Sequence, residues 1–238
     1  MSRKDVAIML LISRSGGIIV NIEHNKEISK SIITAHVLNR WSGFMAIIAG
    51  ILYIVIQFIH PTDDISSVHT NSWVVVACLT MAMSFFNLVG ITGFYVRQAK
   101  EAGWLGLVGF LLFNLFWLIS FIFSFIEAFV LPLLTNDADK FVVGMVGLFG
   151  GTVSEVHLGI FPILAPLAGV LYMLGGLLLG IATLRARVFP RPAAILLAFA
   201  AVVTVAAAII PHPFDRALAI PMGAALIWIG YIIWSERK

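Results

Sequence analysis

The chain has 238 residues, of which 61% are hydrophobic and only 11% charged, with a mean hydropathy of +1.03, whereas soluble domains carry about 25% charge. That balance excludes an ordinary soluble enzyme and predicts an all-α, polytopic transmembrane helical bundle whose first partner is the lipid bilayer. The pI near 9.2 does not argue for nucleic acid, because Lys and Arg sit in short segments beside the apolar runs, where they act as topogenic signals.

Residues 1–40 differ from everything after them. They are of mixed polarity, carry Arg3, Lys4, Arg14, Lys26, Lys30 and Arg40, and hold only a short apolar patch from Ala7 to Ile12. Such a patch is too short to span, and with Arg14 behind it and no small-residue cleavage site it does not read as a cleaved signal peptide. The expectation is a cytoplasmic N-terminal arm, 1–40, ahead of a six-helix transmembrane domain, 41–238. The alternative is a true start downstream of part of the arm.

The first expected span is Trp41–Ile59, closed by His60-Pro61, and a polar loop with Asp63, Asp64 and His69 follows. The second runs from Trp73 to Val96. Arg97, Lys100, Glu101 and Gly103 form a short charged turn before the third, Trp104–Leu134, so these two helices must be antiparallel neighbours. Leu105 to Ile126 carries no charge and reaches about 33 Å as a helix, enough to cross a hydrocarbon core of about 30 Å. Phe141–Gly151 is apolar but too short to cross, and reads as a surface-lying helix or, alternatively, a re-entrant segment. The fourth span is Leu158–Leu184, with a G-x-x-x-G pair at Gly176 and Gly180 suited to close helix contact. The fifth, Ala193–Ile210, and the sixth, Ala217–Trp234, complete the count.

Six basic residues precede the first span, two lie at Arg97 and Lys100, three at Arg185, Arg187 and Arg191, and two at Arg237 and Lys238. Only Lys140 and Arg216 fall on the other side. The positive-inside rule then predicts six spans with both termini in the cytoplasm.

This orientation gathers polar residues at the outer end. His60-Pro61-Thr62-Asp63 after the first span is echoed by His212-Pro213-Phe214-Asp215 after the fifth. The candidate outer-face site is His60, Asp63, Glu127, His157, His212 and Asp215. Imidazole and carboxylate at helix ends suit a divalent metal or proton transfer, while the plainer reading is that His and Asp fill short polar turns that Pro closes. No ligand spacing or catalytic motif selects a metal, a cofactor or a catalytic residue. Glu127 lies about 35 Å along its helix from Trp104, near the boundary, where a carboxylate is affordable. Cys78 is the only cysteine, so no intrachain disulfide forms.

At Gly93-Phe94-Tyr95-Val96-Arg97-Gln98-Ala99, Gly103-Trp104-Leu105-Gly106 and Glu127-Ala128-Phe129-Val130-Leu131-Pro132, the chain resembles multi-pass membrane proteins widespread in bacteria. The resemblance implies a bacterial plasma-membrane location and no chemistry. Two functional readings stay open. One is a non-enzymatic small transporter, ligand-binding or accessory protein, with room for a membrane partner or a second copy. The other is an intramembrane enzyme acting on a lipid-like substrate at the outer leaflet through the His and carboxylate residues.

Overall fold

The computed structural model describes residues 35–150, 153–204 and 214–236. The chain divides into two units, Met1–Leu38 and Asn39–Lys238, and the packing below is that of the second. Among the described residues every regular element is helical. In chain order these are α1 (Ala35–Ile59), α2 (Ile65–Val68), α3 (Asn71–Phe129), α4 (Leu131–Leu134), α5 (Asp139–Gly150), α6 (Phe161–Ala186), α7 (Arg191–Val203), α8 (Phe214–Ala217) and α9 (Ile220–Ser235). Three of them, α1, α3 and α6, are long and apolar enough to cross a membrane.

The long α3 is a hairpin. Gly103 adopts φ 57° and ψ −157° inside it, a conformation reserved for glycine, and the chain folds back there into legs 71–102 and 104–129. Cross-contacts report the antiparallel pairing: Tyr95 stacks on Phe110 with ring centroids 4.4 Å apart near the bend, and Ser84 meets Ser120 at 2.9 Å further along. At the open end the Trp73 indole donates to the Glu127 carbonyl at 3.0 Å. Each leg exceeds about 30 Å in length. The expected single helix from Trp104 to Leu134 does not continue to its end. It stops at Val130, and α4 begins again with Pro132 in its first turn, because proline offers no N–H and crowds the carbonyl four residues before it.

Small residues set the remaining contacts. A Cβ added at Gly180 would stand 2.8 Å from the Ala198 Cβ, and one at Gly176 would stand 2.7 Å from the Ala201 Cβ, so the G-x-x-x-G face is where α6 meets α7. Gly230 of α9 and Gly43 of α1 make a similar seam, with the Gly43 carbonyl 2.6 Å from the position a Gly230 Cβ would take. Phe113, Trp117, Leu179, Leu197, Met222 and Ile233 fill the interior and are fully buried. The outside is apolar as well: Leu111, Leu115, Leu118, Ile122 and Phe125 repeat at three- and four-residue spacing and are 45–54% exposed. In water such a stripe would be unfavourable; with the three long helices it suggests a membrane protein.

The later helices are described over fewer residues than the fifth and sixth expected spans. α7 has 13 residues and α9 has 16, about 20 and 24 Å of helix; residues 205–213, which the expected fifth span would have used, lie outside the described residues. The arm 1–40 is described only from residue 35, where α1 is already helical ahead of Trp41. The segment expected to lie on the surface or re-enter is the helix α5. It buries Val142, Met145 and Val146 in a cluster with Val68, Trp73, Phe123, Leu131 and Leu158, while Val143 is exposed.

Candidate functional site

The open end of the α3 hairpin gathers the polar residues that connect to one another. α1 ends at Ile59 and Pro61 stops it, which leaves His60 just beyond the last turn. The His60 Nδ1 lies 2.8 Å from the Pro61 carbonyl. A carbonyl can only accept, so Nδ1 carries a proton, and in the neutral ring Nε2 is the acceptor. The Asp63 carboxylate stands 3.9 Å from the same Nδ1, and the His60 ring meets the Trp73 ring edge-on at 6.3 Å. Trp73 is buried and its N–H is engaged by the Glu127 carbonyl. Glu127 is half-buried. His60, Pro61, Trp73, Val76, Ala77 and Glu127 line a recess with room for about one water molecule.

Arg216, just before α9, holds the recess from outside. Its Nη1 donates to the His60 carbonyl at 3.1 Å and its Nη2 to the Pro61 carbonyl at 3.4 Å. Arg216 belongs to no motif in the sequence, although a signal for it was available: it is one of only two basic residues on the side expected to be poor in them. His212 lies outside the described residues and Asp215 is described in its backbone alone; Arg216, next along, reaches the first turn.

Two other parts of the loop chemistry stand apart. His157 is exposed and its Nδ1 accepts the Gly159 N–H at 3.2 Å, so it is not among the residues lining the recess. Lys140 and Glu155 form an exposed ion pair at 3.1 Å. Among the described residues no three His, Cys, Asp or Glu side chains come together as a metal would require. Asp64 serves its own turn, where its carboxylate accepts the Ser67 N–H at 2.8 Å and caps α2, and the Ser66 and Thr62 hydroxyls donate to it as well. Those three donors, led by Ser66, hold its pKa below the usual carboxylate range.

Fold and site together define a helical chain with three membrane-length helices and a small polar recess at one end of its bundle. Comparison with protein-family models, curated proteins and solved structures returns no match.

Proposed function

We propose that this is a six-span protein of a bacterial plasma membrane, with both termini cytoplasmic, and that it works without catalysis, as a small transporter, ligand-binding or accessory protein whose site is the His60–Glu127 recess. The observation that carries the site is that recess itself, in which an imidazole, a carboxylate and an aromatic wall face one water-sized space.

Contacts at the opposite end of the bundle support the topology. Arg97 makes a forked ion pair with Glu236 at 3.0 Å, Arg40 donates to the Trp234 carbonyl at 3.2 Å, and Phe94 meets Phe189 at 5.0 Å. The starts and ends of alternate helices therefore meet there, together with Arg185, Arg187 and Arg191. Exposed Trp41, Trp104 and Trp234 ring the same end, as interfacial anchors do. A reporter fused after Lys238 or inserted at Gly103 is expected to be cytoplasmic, and one inserted at Ser66 to be exported. An exported C-terminal fusion would overturn the six-span arrangement.

The joint site is tested by a double-mutant cycle. His60→Ala and Glu127→Gln, alone and together, are melted in detergent, and the two effects are expected to couple by more than about 0.5 kcal/mol, because both side chains border the same space. Simple additivity would mean that they are separate polar turns.

A further inference from the structure

Resting on that reading, we propose that the recess binds an ammonium-type cation, an –NH3⁺ group or the ammonium ion itself. The chemistry left unengaged around it is all of one kind. The Trp73 N–H is taken by the Glu127 carbonyl. The His60 Nδ1–H is taken by the Pro61 carbonyl, which leaves Nε2 as an acceptor. Arg216 turns one N–H of Nη1 and one of Nη2 to the carbonyls of His60 and Pro61, and it is not among the residues lining the recess. Among the described residues that line the recess, what remains is the Glu127 carboxylate, the second imidazole nitrogen and the Trp73 ring, groups that accept and do not donate. A ligand that satisfies them must bring donors and positive charge.

Size and lining narrow the class. The space holds about one water molecule, so the part of the ligand that enters is a single heavy atom with its hydrogens. Ammonium nitrogen meets that limit. Val76 and Ala77 close the apolar side, where a strongly hydrated metal ion would find no oxygen. A carboxylate beside an aromatic ring is the pairing that favours organic and ammonium cations through ionic and cation–π attraction together. Asp63 adds a second carboxylate beside the recess, 3.9 Å from the His60 ring, which makes the local potential more favourable to cations.

The test uses the full chain in detergent and in nanodiscs. Melting temperature is followed while ammonium chloride or methylammonium chloride is added at constant ionic strength, with sodium chloride and tetramethylammonium chloride as controls. A saturable rise with the two N–H cations is expected, and none with tetramethylammonium, which is too large and has no N–H. Glu127→Gln should weaken the half-saturation concentration at least tenfold, while Glu155→Gln, which lies outside the recess, should leave it unchanged. Nanodiscs of phosphatidylethanolamine compared with phosphatidylcholine separate the two sources of the group: a lipid amine head would stabilise the protein unaided and blunt the response to added methylammonium, and a free cation would act equally in both. An equal response to all four salts, or one that survives Glu127→Gln, would overturn the assignment. Coupling between His60 and Glu127 without any ammonium response removes the ligand and keeps the joint site, whereas loss of both removes the site.

Discussion

Gly180→Leu is expected to lower the stability of the bundle more than any other single change considered, by about 3 kcal/mol or more, read as a large drop in the detergent melting temperature. At this position a Cβ alone would stand 2.8 Å from both the backbone nitrogen and the Cβ of Ala198, so the clash is with a neighbouring helix and not with the end of a flexible side chain. Overpacking that forces backbone to move costs about 1–3 kcal/mol and sometimes more. Leucine adds three further carbons to a seam where α6 and α7 already touch. Gly169→Leu on the same helix is the control: nothing lies within 4 Å of its added Cβ, and it should melt close to the parent. If Gly180→Leu also melts like the parent, the α6–α7 seam is not where the bundle closes.

The second large effect is expected at Arg216. Replacing it by Gln removes a guanidinium whose two nitrogens donate to the carbonyls of His60 and Pro61. Hydrogen bonds from a charged donor contribute about 1.5–3 kcal/mol, and because Arg216 is only half-buried the lower part of that range is appropriate. Arg216→Lys should recover part of the loss and not all, since an ammonium cannot present two parallel donors. The readout is specific: amide exchange at residues 60–64 should quicken along with the fall in melting temperature, while exchange in the 104–129 leg stays as it was. An unchanged exchange pattern would mean that the clamp does not organise the recess.

Much of the helical frame could be read from residue order because lipid-length apolar runs obey a length rule with few exceptions. The charged turn from Arg97 to Gly103 announced the hairpin, and Gly176 with Gly180 announced a close helix face, since both depend on spacing alone. The helix from Trp104 was read too far, through Val130, because its hydropathy does not fall where Pro132 breaks the hydrogen-bond ladder. At the site, His60, Asp63 and Glu127 were within reach of sequence reasoning, as polar residues at a shared helix end. Trp73 and Arg216 were not: one stood only as the first residue of an expected span and the other as one of two basic residues on the outer side, and their roles arise from contacts that reach 54 and 156 residues along the chain. His157 was grouped with them by side alone, and sharing a side does not bring two loops together.

The Gly103 turn also imposes an order of events on assembly. The two legs of α3 meet through contacts 36 residues apart in sequence, Ser84 with Ser120, and 54 residues apart, Trp73 with Glu127, and such shorter-range closures form earlier and faster. The Arg97–Glu236 pair spans 139 residues and the Arg40–Trp234 contact 194. Neither can exist until synthesis has reached the last helix. The hairpin is therefore a finished folding unit while the C-terminal third is still being made, and α1 waits, its glycine seam unfilled, for α9 to arrive.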